Sequence, residues 1–289
     1  MGFARIALAV VLALAVTACA GSAARSAVPA SYYLALGDSL SQGVQPDAAG
    51  TSIETPHGYA NQVYAALLPD HPGLRLVKLG CPGETTSTMI HGGVCRYRGG
   101  SQLAAAVAFL RAHRGHTFLV TIDIGANDPE DCGAKSGLSR ITDCYLTDIP
   151  GAVSNLGTVM SGLRAAAGQG VRIVGMSYYL PALAQWRDGF GGEEIARLVA
   201  RLATSYNNLL GQVYGRYDSP VANVFGAFDT SNFGDPVAVP GIGTLPRNVA
   251  LICRWTWECA APPRGPNQHA NQAGYAVIAR AFLGAAGLS

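Results

Sequence analysis

Charged residues are scarce in this chain, and clusters of basic residues are missing. Only 13% of its 289 residues are Asp, Glu, Lys or Arg, against about 25% in an ordinary soluble domain, while 49% are hydrophobic. The 20 Lys and Arg residues are scattered, so they form no stripe for a nucleic-acid backbone, and the net charge of +2 points to no such partner. This composition argues against disorder and predicts a well-filled core beneath a neutral polar surface.

An apolar run near the N-terminus, Ile6–Val16, is too short for a comfortable membrane span. Because Arg5 precedes it, the run is typical of a secretory signal peptide, which we expect over residues 1–19. Residues 20–30 are small and polar and predict a flexible tether, which leaves residues 31–289 for the folded domain. We therefore expect the protein to be exported.

Cys19 can be interpreted in two ways. Val16-Thr17-Ala18-Cys19 resembles a bacterial lipobox, in which Cys19 is lipidated and becomes the first mature residue. Ala18-Cys19-Ala20 also fits an ordinary small-x-small cleavage site, which removes Cys19. We favour the lipobox, which makes the protein a cell-envelope lipoprotein associated with the membrane through Cys19. The other interpretation makes it a secreted protein.

The cysteines show no Cys-x-x-Cys spacing, and no histidine lies at a ligand-like interval from them, so we predict no zinc or other metal site. The six cysteines beyond Cys19 form an even set, which indicates disulfides in an exported protein. They fall into three close pairs along the sequence. The predicted bridges are Cys81–Cys95, Cys132–Cys144 and Cys253–Cys259.

Short apolar runs alternate with longer helical patterns from Ser31 onward, and no internal repeat or linker divides them. The predicted strands are Tyr32–Leu36, Leu74–Leu79, Thr117–Ile124, Val171–Met176 and Val221–Phe225. The predicted helices are Gly58–Leu68, Gln102–His113, Ile149–Ala167, Glu193–Tyr214 and Asn271–Leu283. This alternation is typical of βαβ units and predicts a single α/β domain with a parallel sheet.

The segment Asp229–Gln268 lacks clear periodicity and is rich in proline. A loop of this length is usually functional or disordered, and the close pair of Cys253 and Cys259 argues against disorder. Trp255 and Trp257 in this segment either line a substrate groove or cover the core beneath the loop. The sequence leaves both interpretations open.

Three predicted strands end in turns that contain glycine and polar residues. Gly37-Asp38-Ser39-Leu40 follows the first strand, Gly83 lies in the turn after the second, and Gly125-Ala126-Asn127-Asp128 follows the third. Because the carboxyl ends of parallel strands meet at one edge of a sheet, we expect Ser39, Gly83 and Asn127 at one crevice. A serine on such a turn is lifted clear of the sheet, as an exposed nucleophile must be.

The chemistry of these groups is complementary for acyl transfer from an ester. The main-chain N–H groups of Ser39 and Gly83 and the side-chain amide of Asn127 are three donors for an oxygen that becomes negative. His269 lies just before the last predicted helix and can supply the base. A free imidazole titrates at about pH 6.5 and accepts a proton at neutral pH. We expect Asp38 and Asp128 to stabilise turns and not to carry protons.

The four blocks together resemble the SGNH hydrolase superfamily, also called GDSL esterases and lipases. Ser39 matches its nucleophile, Gly83 and Asn127 match the glycine and asparagine of its middle blocks, and His269 matches the histidine of its last block. The resemblance implies a flavodoxin-like three-layer α/β/α sandwich with a parallel sheet of about five strands. It also implies hydrolysis of carboxylic esters through an acyl-serine intermediate, without a cofactor. The three close cysteine pairs are similar to those of secreted members.

The last block departs from the family pattern, because Pro266 stands three residues before His269, where the family usually has aspartate. Some members work as a Ser–His dyad in which a main-chain carbonyl accepts the imidazole N–H, and proline keeps its carbonyl. We favour the Pro266 carbonyl as the group that orients His269. A carboxylate of the long segment is the alternative, with three candidates: Asp229, Asp235 and Glu258.

The sequence therefore predicts an exported serine esterase or lipase that acts on a small-molecule or lipid ester. The alternative is a non-catalytic surface protein that binds an acylated glycan or lipid in the same crevice, for which the missing acid is the best argument. Acyl-chain length and the nature of the alcohol are not encoded in these motifs.

Overall fold

The computed structural model describes residues 1, 30–129, 132 and 137–288. The lipidation site proposed at Cys19 lies outside the described residues. The same holds for the expected signal peptide beyond Met1 and for the tether before Ala30. Within the described residues, no helix is both long and apolar enough to span a membrane.

The strands of the described chain form one large sheet and two short antiparallel ribbons. They are β1 Ser31–Gly37, β2 Gln45–Pro46, β3 Ser52–Ile53, β4 Leu74–Lys78, β5 Thr117–Asp123, β6 Arg172–Ser177, β7 Val221–Asn223, β8 Val237–Val239 and β9 Gly243–Leu245. The large sheet has the order β4-β1-β5-β6-β7, and all its pairings are parallel. The chain passes from β1 to one neighbour and later to the other, so the switch point of the sheet lies between β1 and β5.

The α-helices of the described chain are α1 Ser39–Gln42, α2 Tyr59–Leu67, α3 Thr86–His91, α4 Gln102–Ala112, α5 Leu138–Ala167, α6 Phe190–Gly215, α7 Val224–Ala227, α8 Arg247–Trp255 and α9 Gln272–Ala286. Helices α2 and α9 pack on each other, whereas α4, α5 and α6 form a second group. β1 is buried continuously from Tyr33 to Gly37, which requires helices on both faces of the sheet. The predicted three-layer α/β/α class with five parallel strands is confirmed.

The sheet strands and main helices agree with prediction to within a few residues, with one large exception. Helix α5 begins at Leu138 and not at Ile149, and it runs through Pro150. A proline inside a helix leaves the carbonyl four residues earlier without its N–H partner. Here that carbonyl belongs to Leu146, which is one of the most exposed hydrophobic residues, so water reaches this side of the helix.

The segment expected to be irregular contains helix α8 and the ribbon of β8 and β9. A run of five residues of α8, Asn248–Ile252, is buried. Its first member is polar: the Asn248 side chain donates to the main-chain oxygen of Thr230 at 3.0 Å. This buried amide interrupts the apolar periodicity from which a helix is predicted.

All three predicted disulfides are present: Cys81–Cys95, Cys132–Cys144 and Cys253–Cys259. In the described part of the chain, one group of side chains brings three potential metal-ligand atoms close together: Cys132, Cys144 and Asp148. Because its two sulfur atoms are joined to each other, the group offers no thiolate ligand.

Candidate active site

The turn that follows β1, residues 37–41, is called the nucleophile turn below. Gly37 has φ +126°, and a Cβ atom there would lie 1.9 Å from the main-chain oxygen of Asp123, so only glycine fits. The buried side chain of Gln102 holds Gly37 from both sides: its Oε1 accepts from the Gly37 N–H at 2.7 Å and its Nε2 donates to the Gly37 carbonyl at 2.9 Å. The turn is thereby fixed to helix α4.

Asp123, the last residue of β5, lies beneath the nucleophile turn and is fully buried. Its Oδ2 accepts from the main-chain N–H groups of Ser41 at 3.2 Å and Asp38 at 3.4 Å, and the Tyr59 hydroxyl donates to Oδ1. Burial raises the pKa of the Asp123 carboxyl well above its usual range, and the nearby Asp38 carboxylate adds to this effect. The nucleophile turn and helix α2 therefore both bind the buried carboxyl group at the end of β5.

Ser39 is the first residue of the short helix α1 and is 8% exposed. Asp38 caps this helix, since its Oδ1 accepts from the Leu40 N–H at 2.9 Å. The Ser39 hydroxyl makes a long contact of 3.5 Å to the same oxygen. Among the described residues, the Ser39 N–H has no hydrogen-bond acceptor, as expected for the first N–H of a helix. That N–H can bind a ligand oxygen.

Gly83 and Asn127 are joined through Glu84, because Asn127 Nδ2 donates to the Glu84 carbonyl at 2.8 Å. The second N–H of this amide stays available for a ligand. Gly83 is exposed and has φ +81°, and its N–H likewise has no acceptor in the described part of the chain. Asp128 holds the chain just after Gly83, because its carboxylate accepts from the Thr86 N–H at 3.0 Å and from the Thr86 hydroxyl.

The side chain of Asn267 positions the imidazole of His269. Asn267 Oδ1 lies 2.8 Å from His269 Nδ1 and also accepts from the His269 main-chain N–H at 3.1 Å. A contact to an N–H identifies this atom as the amide oxygen, and an oxygen acceptor requires the proton to be on Nδ1. His269 Nε2 therefore carries a lone pair and can accept a proton. The amide nitrogen of Asn267 donates to Ser52 Oγ at 3.0 Å.

The predicted orienting group, the Pro266 carbonyl, is not the partner of His269 Nδ1 in the structure, since Asn267 Oδ1 occupies that place. The reason is local. An asparagine two residues before another residue readily turns its side-chain oxygen back onto that residue's N–H, and here the same oxygen also reaches Nδ1. The sequence Asn267-Gln268-His269 carries this signal, because its asparagine stands two residues before the histidine.

The three alternative carboxylates have different surroundings. Asp229 forms an ion pair with Arg247 at 2.7 Å, and Asp235 accepts from the Asn232 side chain at 3.1 Å. Glu258, in contrast, lines the same cavity as His269. Burial raises the pKa of the Glu258 carboxyl and lowers the pKa of His269 to about 4.

Residues 256–271, called the histidine loop below, form a folded-back segment. The Trp257 N–H donates to the His269 carbonyl at 3.0 Å, the Asn267 N–H donates to the Trp257 carbonyl at 3.2 Å, and Thr256 pairs with Ala270 as an isolated bridge. The disulfide to Cys253 joins the loop to helix α8. The loop therefore holds its shape mainly through contacts with itself and with α8.

Ser39, Asn127 and His269 line one cavity of about 290 Å³. Gly83 is not among its lining residues, although Asn127 connects the two through the Glu84 carbonyl. Neither Trp255 nor Trp257 lines it. Trp255 packs edge-on against buried Phe228, with ring centroids 5.1 Å apart, so it covers the core. The other lining residues are Asp38, Leu40, Ala126, Pro129, Tyr145, Tyr178, Tyr179, Leu180, Pro181, Ala182, Gln185, Ala203, Tyr206, Asn207, Glu258 and Gln268.

Several solved structures share this fold at low sequence identity. An extracellular lipase from Streptomyces rimosus aligns with a TM-score of 0.59 and 18% identity over 89% of this chain and all of its own. An acetylxylan esterase from Geobacillus stearothermophilus gives 0.55 and 17% over 91% and 97% of the two chains. A phospholipase A1 from Streptomyces albidoflavus gives 0.53 and 16% over 89% and 100%. No curated protein sequence matches the chain.

The sequence itself matches a family model. The model of the GDSL-like lipase/acylhydrolase family covers residues 35–277, which include all four blocks around Ser39, Gly83, Asn127 and His269. The match spans most of the chain and agrees with the fold of the solved structures. The chain therefore belongs to the GDSL-like lipase/acylhydrolase family and is a carboxylic ester hydrolase.

Proposed function

We propose that the protein is an exported serine esterase that hydrolyses carboxylic esters through an acyl-Ser39 intermediate. The observation that carries this proposal is the shared cavity of Ser39, Asn127 and His269, which three separate elements bring together. His269 takes the Ser39 proton as the hydroxyl attacks the ester carbonyl, and it returns that proton to the leaving alcohol. Water then attacks the acyl-enzyme by the same route and releases the carboxylic acid.

The protonation state of His269 supports this role. With the proton of the neutral ring on Nδ1, Nε2 is the free acceptor for the Ser39 proton. Because burial lowers the pKa of His269 to about 4, the ring is neutral at pH 7. Asn267 holds the ring in the required tautomer, a task that aspartate performs in a Ser-His-Asp triad. An amide does not add the stabilisation that a carboxylate gives to the charged imidazolium.

The N–H groups of Ser39 and Gly83 and the Asn127 amide are proposed to bind the oxyanion. The first two have no acceptor among the described residues, and the third keeps one N–H available. Loss of one good oxyanion donor costs about 10²–10³ in turnover. Asn127→Ala is therefore expected to lower kcat in that range.

Export is proposed from the N-terminal sequence and from the three disulfides, which persist in oxidising compartments. Lipidation of Cys19 stays part of this proposal. Mass spectrometry of the mature N-terminus distinguishes a diacylglyceryl-modified Cys19 from cleavage beyond it.

The activity test compares hydrolysis of a p-nitrophenyl ester series by the wild type, Ser39→Ala and His269→Ala. Each variant is expected to lose at least about 10⁴-fold in kcat, because nucleophile and base act as a unit. Ser205→Ala and His91→Ala remove the same side chains from exposed helical positions and serve as matched controls. Full activity in Ser39→Ala would contradict the mechanism.

Covalent labelling distinguishes the proposed esterase from the alternative, a surface protein that binds an acylated glycan or lipid without cleaving it. A fluorophosphonate probe reacts quickly only with an activated serine. Labelling of the wild type but not of Ser39→Ala supports the esterase, whereas an unlabelled wild type supports the binding protein.

A further inference from the structure

The cavity around Ser39 has an acidic and aromatic wall, although the whole chain has a net charge of +2. Two carboxylic acids, Asp38 and Glu258, line it, together with the imidazole of His269. No lysine or arginine is found among the described residues that line it. The local charge of the cavity thus has the opposite sign to the net charge of the chain.

Glu258 is the carboxylic acid that the proposed mechanism leaves without a task. Asp38 caps helix α1, and His269 Nδ1 is already bonded to Asn267, so Glu258 is not needed to orient the imidazole. The main-chain N–H of Glu258 is fixed by Thr256 Oγ1 at 3.1 Å. Its carboxylate, in contrast, has no hydrogen-bond or ionic partner among the described residues. A half-buried carboxyl without a partner is costly to ionise, and a cation beside it offsets that cost.

Four tyrosines supply the aromatic part of the wall: Tyr145, Tyr178, Tyr179 and Tyr206. All four are buried, and burial raises the pKa of each phenol, so the rings are neutral at pH 7. The face of a neutral aromatic ring carries partial negative charge and attracts ammonium groups.

Hydrogen bonds fix two of these hydroxyls and the main chain of a third tyrosine. The hydroxyls of Tyr179 and Tyr206 donate to the carbonyls of Gln268 and Gly125 at 2.9 and 2.8 Å. The Asn207 side chain binds the Tyr178 N–H at 2.7 Å and the Tyr178 carbonyl at 3.3 Å. A rigid wall needs little ordering when a ligand binds, so its attraction for a cation is retained as affinity.

We propose that the cavity favours small esters that carry an ammonium group, and that Glu258 is the residue that confers this preference. The substrate class rests on the proposed esterase function. The volume of about 290 Å³ lies at the lower end of ligand pockets and suits a short ester. Esters with phosphate or carboxylate groups are disfavoured in the same cavity because Glu258 repels them.

The test uses two pairs of esters that differ in one charge. In the first pair, acetylcholine carries the charge on its alcohol part and 3,3-dimethylbutyl acetate is its neutral analogue. In the second pair, ethyl betainate carries the charge on its acyl group and ethyl 3,3-dimethylbutanoate is its neutral analogue. The ratio of kcat/KM for the charged and neutral member is measured at low salt and pH 8 for the wild type and for Glu258→Gln. The wild-type ratio is divided by the Glu258→Gln ratio, and in this quotient the intrinsic reactivity of the esters cancels.

We expect this quotient to be about fivefold or more in at least one pair, and the pair identifies the side of the ester that faces Glu258. Asp235→Asn removes the same charge outside the cavity, so the wild-type ratio divided by the Asp235→Asn ratio should be close to one. A quotient close to one in both pairs overturns the proposal. An equal loss of orders of magnitude on charged and neutral esters also overturns it, because Glu258 then serves His269.

Choline binding, measured by calorimetry, separates this inference from the proposed function. Weaker binding by Glu258→Gln than by the wild type supports the ammonium site even if no ester is hydrolysed, in which case only the esterase proposal fails. Equal binding by both proteins, together with normal hydrolysis of neutral esters, rejects the ammonium site and leaves the esterase proposal intact.

Discussion

The nucleophile turn is anchored from inside the sheet, whereas the histidine loop is anchored mainly to itself and to helix α8. Gln102 and the fully buried Asp123 bind the turn, and both side chains come from elements far away in sequence. The histidine loop depends on short-range contacts, such as the Asn267 bond to His269 and the disulfide Cys253–Cys259. One half of the site is therefore a product of the core, and the other half is a product of local chain folding.

The comparison indicates how each half responds to mutation. Damage to a buried anchor of the turn should reduce the stability of the whole domain as well as activity, because the anchor is part of the core. Damage to the loop should reduce activity with little effect on stability, because the imidazole loses its orientation while the core stays intact. The four predictions below test this division, from the largest expected effect to the smallest.

Asn267→Ala is expected to lower kcat by about 10²–10⁴, because His269 loses the acceptor that fixes its tautomer. The effect should fall on kcat and not on KM, and the midpoint of urea unfolding should change little. Asn208→Ala removes the same side chain from an exposed position of helix α6, outside the cavity, and is the control. A kcat within a few-fold of the wild type would show that another group orients the imidazole.

Asp123→Ala is expected to lower the free energy of unfolding by about 2–4 kcal/mol, because the Ser41 N–H and the Tyr59 hydroxyl lose their acceptor in the core. Activity should fall with it, since the turn that carries Ser39 is no longer fixed. Asp123→Asn keeps an acceptor oxygen and should recover most of the stability. Denaturant unfolding checks both variants, and equal losses in the two would argue that the charge, and not the acceptor, matters.

The pH profile of kcat/KM is expected to stay flat well below pH 6.5, because burial lowers the pKa of His269 to about 4. Asn267→Asp should move the acid limb upward by about 1–3 pH units, since a carboxylate stabilises the imidazolium. In the wild type the unfolded chain binds this proton before the folded one, so the free energy of unfolding falls as pH drops from about 6.5 towards 4. An acid limb near pH 6.5 in both proteins would contradict the lowered pKa of His269 and its pairing with residue 267.

Pro266→Ala is expected to change kcat by less than about threefold, because the carbonyl of this residue is not the partner of His269 Nδ1, and alanine retains a carbonyl in any case. The informative measurement is its combination with Asn267→Ala. A double variant no worse than Asn267→Ala supports Asn267 as the orienting residue, whereas a further loss of orders of magnitude would assign a role to Pro266.

Sequence patterns predicted the sheet well because its strands are short apolar runs bounded by turns, and burial on both faces leaves a clear signal. The same patterns missed the first part of α5, where Pro150 interrupts the helix, and missed α8, where Asn248 is buried. In the site, the four blocks and the three disulfides could be found from the chain alone. Gln102 and Asp123 could not, because nothing near either residue indicates that it will meet the nucleophile turn.

The sequence by itself determined the residues on which the proposed chemistry depends: a serine, a glycine, an asparagine and a histidine placed where strands and a helix begin or end. Local geometry follows from such residues, since glycine permits a positive φ and asparagine folds back on its neighbours. Only the tertiary structure decided that Glu258 lines the cavity and that Gln102 and Asp123 support the turn. These contacts depend on distances between segments far apart in the chain, which are fixed only when the core packs.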